Sequence, residues 1–165
     1  MPRIYPSIMV HCLSIDPKFK PVKHKRRAFN AKRYMVINSE VNKHLKASFI
    51  RESQYLEWIA NVVLVKKVNR SWRVCVDLTD LNRACPKDSF LFPRIDQLVD
   101  ATTRYELMSF MDAYSCYNQI RMHESNQEHT SFLIDQGLFF YNVMPFGLKN
   151  ADATYQRMVN KMFKE

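Results

Sequence analysis

A carboxylate at the end of an apolar run is the clearest chemical signal in this sequence. The run extends from Tyr105 to Met111, and Asp112 follows it directly. Such a pattern is typical of a buried strand that delivers one acidic side chain to the edge of its sheet. A charge at that place needs a cation, a metal ion or backbone donors to compensate it. The alternative is a purely structural role, in which Asp112 caps the following turn and Tyr117 packs as an ordinary core aromatic.

Two cations form a second candidate group. The runs from Trp58 to Lys67 and from Trp72 to Asp77 are rich in β-forming residues and predict a hairpin with a short polar turn. Lys66 and Arg73 flank that turn and can reach the same side of the ribbon as a two-pronged cationic clamp. Alternatively, they are edge-strand charges that discourage aggregation.

The overall composition favours a polyanionic partner. Lys and Arg total 25 against 16 acidic residues, which gives a formal charge of +9. Nucleic acid is favoured over a membrane surface because no amphipathic basic helix stands out. The chain contains only two glycines, Gly137 and Gly147, so a glycine-rich phosphate loop is excluded and side chains must hold any phosphate.

The cysteine and histidine spacings make a zinc site improbable, because they contain no Cys-x-x-Cys or His-x3-His pair. We therefore expect a reduced, intracellular protein. The sequence contains no apolar run of membrane-spanning length and no signal peptide, so we expect a soluble chain without a membrane partner. Its 165 residues fit one domain or a piece of a larger one.

Residues 1–36 form a basic N-terminal arm with little apolar periodicity. Such a run is usually a solvated or disordered arm, and otherwise a surface that contacts a phosphate backbone. Its cations, here called the basic segment, are Lys18, Lys20, Lys23, Lys25, Arg26, Arg27, Lys32 and Arg33.

Helical spacing predicts three further elements. Apolar residues four apart predict a helix from Ile37 to about Ile50, with Asn38 placed to cap it. A second helix is predicted over residues 94–101, and Asn150 is placed to cap a final one. The final helix has an apolar face and reaches Glu165 without a Gly or Pro terminator, which predicts that the sequence is cut off. The predicted core face consists of Ala151, Tyr155, Met158, Val159, Met162 and Phe163.

A second hairpin is predicted before that helix. The apolar runs Thr130 to Ile134 and Leu138 to Met144 are joined by Asp-Gln-Gly, with Gly137 at the position that needs a positive φ. The predicted order is therefore hairpin, strand ending in Asp112, helix or turn, hairpin and helix, in a basic chain.

Several strings in this order resemble the reverse transcriptases of long-terminal-repeat retrotransposons, most closely the plant Ty3/gypsy type. The likeness covers roughly residues 11–165. The matching strings are Trp72-Arg73-Val74-Cys75-Val76-Asp77 with Leu81-Asn82, Cys85-Pro86-Lys87-Asp88-Ser89-Phe90, Pro93-Arg94-Ile95-Asp96, Phe110-Met111-Asp112-Ala113-Tyr114-Ser115 and Val143-Met144-Pro145-Phe146-Gly147-Leu148-Lys149-Asn150-Ala151.

The resemblance implies an α/β fold of the α+β type, built as the fingers and partial palm of a right-hand polymerase. The palm would be a truncated split βαβ sheet. On this division residues 1–36 are the basic arm, 37–104 the fingers-like helix and hairpin, and 105–165 the partial palm. The implied activity is RNA- and DNA-templated DNA synthesis with two Mg²⁺ ions, with a template-primer and dNTP as partners, inside a polyprotein that also holds a thumb, RNase H and integrase.

The resemblance also implies a role for each candidate site residue. Asp112 matches the first metal-binding catalytic carboxylate, and Tyr117 matches the aromatic that packs under the sugar and excludes a 2'-hydroxyl. Lys66 and Arg73 match the residues that neutralise the triphosphate. Phe146 and Gly147 match the loop that lines the nucleotide pocket, with Lys149 close by as a template or nucleotide contact.

The match breaks at the second metal motif, Tyr-x-Asp-Asp, because these 165 residues contain no Asp-Asp pair. One carboxylate will not hold two metal ions, so we expect this polypeptide alone to lack polymerase activity. The alternatives are a non-catalytic nucleic-acid-binding remnant and a product with no function. We also expect poor solubility, because an unpaired palm strand exposes apolar side chains.

Smaller departures from the family pattern suggest a decayed genomic copy. Each one removes a Gly or Pro with a special backbone conformation, or places a larger side chain in a tight place. The departures are Cys116 and Arg70 where Gly is usual, Asp152 where Gly or Pro is usual, and Leu56 and Leu91 where Pro is common.

Overall fold

The computed structural model describes residues 3–68, 71–110 and 112–163, so Arg70 and Met111 lie outside the described residues. It has a five-stranded mixed sheet in the order β2-β7-β6-β3-β4, and a separate parallel pair of β1 and β5. The strands are β1 (Val10–His11), β2 (Ile50–Ser53), β3 (Ala60–Lys66), β4 (Trp72–Val76), β5 (Arg121–Met122), β6 (Phe132–Ile134) and β7 (Gly137–Tyr141). The α-helices are α1 (Ala31–Lys46), α2 (Thr79–Ala84), α3 (Ile95–Thr102), α4 (Glu124–Gln127) and α5 (Ala151–Met162).

Both predicted hairpins are confirmed. Strands β3 and β4 pair in antiparallel fashion, and β6 and β7 do the same across the turn before Gly137. Gly137 has φ of +148°, so the prediction that this glycine takes a positive φ is also confirmed. Strand β3 pairs in parallel with β6, which joins the two hairpins into one sheet.

The first helix begins earlier and ends earlier than the sequence predicts. Its cap is Asn30, whose side chain accepts a 3.0 Å hydrogen bond from the Arg33 amide, so the predicted Asn38 cap is wrong. The helix ends at Lys46 because Ser48 takes a positive φ of 55°, which turns the chain into β2. Ile50, the predicted end of the helix, is therefore the first residue of a strand.

Apolar side chains form two main clusters on the sheet and its helices. The α1 core contains Ile37, Val41, Ile50, Val62, Phe132, Ile134, Phe139 and Tyr141. The α5 core contains Trp58, Leu78, Leu81, Ala84, Ile120, Met122, Met144, Leu148, Ala151 and Met158. Leu56 is buried in a third, small cluster with Leu138 and Phe140, so the fold accommodates leucine at a position where the family commonly has proline.

The N-terminal residues pack on this body rather than extending from it as a free arm. Leu13, Ile15, Phe19 and Val22 are half-buried against the α5 core, and the Phe19 ring stacks on Trp58 at 6.2 Å between centroids. The cations between and after them are exposed. The basic segment is therefore a charged outer face on a chain whose apolar residues point inward.

The predicted strand before Asp112 is wrong for the described residues. Tyr105 to Phe110 takes no regular structure, and every residue from 91 to 110 is exposed. The apolar side chains of this stretch find no partner strand in the described sheet, so burial cannot hold them in an extended ladder. Helix α3 forms as predicted, yet none of its residues is buried.

The final helix is confirmed with Asn150 at its N-cap position, but its buried face is smaller than predicted. Asn150 makes no side-chain cap bond to the helix, and its amide holds the segment before α3 instead. Met162 and Phe163, predicted to be core residues, are exposed because the helix end extends past the body. No described helix is both long and apolar enough to cross a bilayer.

A buried histidine ties β1 to α5. His11 is 1% exposed, and its Nδ1 lies 2.8 Å from the Thr154 hydroxyl oxygen, while its Nε2 has no partner. Burial lowers the pKa of His11 to about 4. The His11 imidazole is therefore protonated below about pH 6.5 in the unfolded chain, but only below about pH 4 in the folded chain.

Lowering the pH from 8 to 5 should reduce the free energy of unfolding through His11 by roughly 2 kcal/mol, because the unfolded state gains the proton first. His11→Asn, which keeps a polar atom near Thr154 and does not titrate, should lose that part of the pH dependence. Urea unfolding of both proteins at the two pH values measures the difference. Identical pH dependence in both would contradict the buried neutral imidazole.

The exposed apolar stretch should drive self-association. Leu107 is 91% and Phe110 is 88% exposed, so replacing both with serine should reduce association while changing the free energy of unfolding by less than about 0.5 kcal/mol. Sedimentation velocity at several concentrations measures this. Tyr55→Ser, which removes an equally exposed aromatic elsewhere, is the control and should leave association unchanged.

Candidate functional site

An antiparallel bridge between Arg121 and Val143 brings two of the predicted site residues together. Beside it, the Met144 amide donates to the Ile120 carbonyl at 2.8 Å. Tyr117 precedes the bridge on one side, and Phe146 follows it on the other. Because the two segments run in opposite directions, both aromatics lie at the same end of the bridge.

Three aromatic rings meet at that end. The Tyr117 and Phe146 centroids are 4.7 Å apart at an angle of 61°, and the Tyr117 and Tyr155 centroids are 5.7 Å apart at 82°. Both contacts have the edge-to-face geometry that aromatic pairs favour. Tyr117 is half-buried against the α5 core, whereas Phe146 is exposed. The rings form an aromatic platform with one open side.

A carboxylate contacts this platform from the first turn of α5. The Tyr117 hydroxyl donates a hydrogen bond to Asp152 Oδ1. Burial, followed by this hydrogen bond and the Asp152 charge, raises the pKa of Tyr117 above its ordinary value. Tyr117 therefore stays protonated and keeps donating to Asp152 throughout the neutral pH range.

Asp112 is exposed and follows residues 105–110, which take no regular structure. Burial raises the pKa of Tyr155, and the charges of Cys116 and Asp112 raise it further. The alternative that Asp112 caps the next turn is not seen, because no described hydrogen bond involves its side chain. Asp112 thus faces solvent and makes no hydrogen bond or ion pair within the described chain.

Asn82 fixes the loop that carries Phe146 and Gly147. Its Nδ2 donates to the Gly147 carbonyl at 2.7 Å, and its Oδ1 accepts from the Lys149 amide at 2.8 Å. Gly147 has φ of +97°, a conformation that side chains rarely adopt, and a Cβ there would lie 4.0 Å from the Val76 carbonyl oxygen. One amide side chain thus holds the loop against the end of β4.

Lys149 contributes to the same anchor. Its ammonium group donates to the carbonyl oxygens of Cys85 at 2.9 Å and Asn82 at 3.3 Å, just after α2. A cation at the carbonyl end of a helix is favourable, so this contact stabilises the loop. Because an ammonium group has three donors, one remains for a ligand, and a nucleotide or template contact stays a prediction.

The clamp of Lys66 and Arg73 on one face of the ribbon is wrong. Lys66 lies opposite Trp72, and Arg73 lies opposite Val65. Residues directly opposite each other share a face and successive residues alternate, so the two cations point to opposite faces. Within the described chain, no hydrogen bond or ion pair joins either cation to Tyr117. Each remains a separate predicted phosphate ligand.

The residues present do not fit a metal site. Within residues 3–68, 71–110 and 112–163, no group of three or more His, Cys, Asp or Glu side chains is placed to hold an ion. A two-ion site needs several converging carboxylates, and Asp112 supplies one. Asp112 as a metal ligand therefore stays a prediction that requires carboxylates from elsewhere.

A sequence model described as reverse transcriptase (RNA-dependent DNA polymerase) matches residues 65–165, which is more than half of the chain. The chain belongs to the reverse transcriptase family. The match contains Arg73, Asp112, Tyr117, Phe146, Gly147 and Lys149. Lys66 also falls inside it, at its N-terminal end.

This reverse transcriptase segment is similar to parts of much longer transposon proteins. The retrovirus-related Pol polyprotein from transposon 412 of Drosophila melanogaster is 30% identical over 133 residues, which cover 77% of this chain and 11% of that polyprotein. The transposon Tf2-3 polyprotein of Schizosaccharomyces pombe is 30% identical over 129 residues, which cover 78% and 10%. The chain therefore spans about a tenth of the length of these relatives.

Solved structures confirm the predicted fold class. The prototype foamy virus protease-reverse transcriptase CSH mutant superposes with a TM-score of 0.78 at 17% identity, covering 94% of this chain and 21% of that one. The foamy viral protease-reverse transcriptase in complex with double-stranded DNA gives 0.72 at 16% identity, covering 94% and 26%. The reverse transcriptase segment therefore has a mixed α/β fold, consistent with truncated fingers and palm.

Sequence reasoning missed three residues that shape the site. Asn82 belongs to one of the matching strings, but no role was assigned to it. The available signal was a polar amide next to the buried Leu81, which indicates a hydrogen-bonding role. Tyr155 was assigned to the core face, yet it also contacts Tyr117. Asp152 was noted only as a departure from the family, and no local pattern links it to a tyrosine 35 positions away.

Asn82→Ala should lower the free energy of unfolding by about 1–3 kcal/mol, because it removes two hydrogen bonds that each contribute about 0.5–1.5 kcal/mol. Urea unfolding measures the loss. Asn42, exposed on α1, provides the matched control, and Asn42→Ala should change stability by less than about 0.5 kcal/mol. Equal stability of the two variants would contradict the anchoring role of Asn82.

Proposed function

We propose that this chain is the fingers and partial palm of an RNA-directed DNA polymerase from a plant Ty3/gypsy retrotransposon. The observation that carries the proposal is the platform of Tyr117, Phe146 and Tyr155, held beside the Gly147 loop. A flat, laterally packed ring next to an anchored loop suits the binding of a nucleotide sugar and base. The family membership and the transposon relatives support this assignment.

In this proposal each site residue has a separate task. The Tyr117 ring packs against the sugar and leaves no room for a 2'-hydroxyl, while Phe146 and Gly147 line the pocket. Arg73 and Lys66 approach the triphosphate from the two faces of the hairpin, with Arg73 suited to bidentate contact. Lys149 offers its remaining donor to the template or the nucleotide.

The same residues do not suffice for synthesis. Phosphoryl transfer needs the attacking and leaving oxygens to be stabilised by ions that several carboxylates hold, and these 165 residues match only one such carboxylate, Asp112. We therefore propose that the chain binds a nucleotide and does not extend a primer by itself. The thumb, RNase H and integrase parts would come from the rest of a polyprotein.

Purified chain with a poly(rA)-oligo(dT) template-primer, dTTP and Mg²⁺ should incorporate no nucleotide above a protein-free blank. A scintillation or gel extension assay measures this, with an intact retroviral reverse transcriptase as the positive control. Template-dependent extension by the purified chain would overturn the division between binding and synthesis.

Binding of dATP should depend on the platform and on the hairpin cation. Tyr117→Ala and Arg73→Ala should each weaken the affinity by about tenfold or more, because one removes the packing surface and the other a charged hydrogen bond. Calorimetric titration measures the dissociation constants. Tyr55→Ala and Arg104→Ala, which alter exposed residues outside the site, are the controls and should bind as the unmodified chain does. Absence of dATP binding in the unmodified chain would contradict the proposed site.

The second candidate function is nucleic-acid binding without catalysis, and the basic segment favours it. All eight of its cations are exposed on a chain of charge +9. The Arg33 guanidinium lies 5.8 Å from the centre of the Trp72 ring, so the segment continues toward Arg73 on the hairpin. The hydrogen bonds from Thr79 lower the pKa of Asp77, the residue after β4, and the charge of Arg27 lowers it further.

Replacing Lys25, Arg26 and Arg27 with glutamine should weaken binding to any duplex and reduce the slope of log K against log salt by about 2–3, because about one counterion is released per phosphate contact. Fluorescence anisotropy in EDTA at several salt concentrations measures the slope. Glutamine at Lys43, Lys46 and Lys87 removes the same charge elsewhere and should leave the slope nearly unchanged. Equal slopes in the two triple variants would contradict this surface.

A further inference from the structure

The hydroxyl of Tyr117 has a partner on a different element. Asp152, 35 positions later in the chain, accepts a hydrogen bond from it. Asp152 lies in the first turn of α5, which is packed on the α5 core through Ala151. The acceptor is therefore mounted on a rigid element.

Three contacts now define where the Tyr117 ring lies. Phe146 and Tyr155 pack against it at centroid distances of 4.7 Å and 5.7 Å, and Asp152 holds the hydroxyl at its far end. Rotation about χ1 and χ2 is the conformational freedom of a tyrosine side chain. The hydrogen bond to Asp152 restricts χ1, because a change in χ1 would carry the hydroxyl away from its acceptor, and the two packed rings restrict χ2.

We propose that Asp152 is a positioning residue that sets how strongly the site distinguishes a 2'-deoxynucleoside triphosphate from its ribonucleoside counterpart. The inference rests on the proposed nucleotide site. A ring that excludes one oxygen atom is selective only while its position is fixed to within a fraction of that atom's size. Asp152 acts through Tyr117 and does not contact the nucleotide.

A carboxylate in the first turn of a helix also stabilises that helix through the helix dipole. This structural effect depends on the charge of residue 152, whereas the positioning effect depends on an acceptor oxygen for the Tyr117 hydroxyl. Asp152→Asn removes the charge and keeps an oxygen acceptor, while Asp152→Ala removes both. The two variants therefore separate helix stabilisation from ring positioning.

The experiment measures the dissociation constants of dATP and ATP, which differ only in the 2'-hydroxyl, by calorimetric titration of the full chain. The unmodified chain should prefer dATP. Asp152→Ala should lower the ratio of the two constants by about tenfold, the change that corresponds to one hydrogen bond to a charged group. Asp152→Asn should retain most of the ratio, and Tyr117→Phe should lower it as Asp152→Ala does.

Combining Asp152→Ala with Tyr117→Phe should cause no further loss, because both changes remove the same bond. Asp100→Asn, which removes one negative charge from the exposed helix α3, controls for a general effect on triphosphate affinity and should leave the ratio unchanged. Thermal unfolding of each variant shows whether it is folded at the temperature of the titration.

Two outcomes overturn the proposal, and they differ in what else they overturn. If the unmodified chain prefers dATP, Tyr117→Ala abolishes the preference and folded Asp152→Ala retains it, the role of Asp152 is wrong and the nucleotide site stands. If the unmodified chain binds neither nucleotide, the nucleotide site is wrong and the role of Asp152 falls with it.

Discussion

The backbone bridge between Arg121 and Val143 is the constraint on which the rest of the site depends. It joins the segment that carries Tyr117 to the segment that carries Phe146, and the burial of Ile120 and Met144 in the α5 core keeps it closed. The aromatic contacts alone contribute on the order of 1 kcal/mol each, too little to bring distant segments together. Backbone pairing sets the positions, and the side chains then refine them.

The described structure divides into an anchored part and an exposed part. Asn82 and Lys149 tie the Gly147 loop to α2, and the Asp88 carboxylate accepts two hydrogen bonds from the Arg157 guanidinium on α5. After Phe90 no such hydrogen bond to the body is described, and every residue from 91 to 110 is exposed. The residues of the aromatic platform lie on the anchored side, whereas Asp112 lies where the exposed part ends. The proposed division between binding and synthesis coincides with this boundary between anchored and exposed residues.

Local patterns predicted the elements whose signals are local. Gly137 fixed one hairpin because its φ is a property of one residue, and the spacing of Ile95, Leu98 and Val99 was enough for α3. The predicted strand before Asp112 does not form, because an apolar run becomes a strand only when another strand pairs with it. The faces of Lys66 and Arg73 depend on a register that the sequence does not state. Asn30 caps α1 because the helix begins at Ala31, which places Asn38 in the middle of the helix.

The parallel pairing of β1 with β5 has a consequence for how the chain is made. Val10 pairs with Arg121, so β1 has its partner more than a hundred positions later in the chain. Contacts between residues so far apart in sequence form slowly. Helix α1 and the first hairpin can therefore form before β1 is paired. During synthesis the segment around β1 therefore remains available to chaperones and proteases until β5 has also been made.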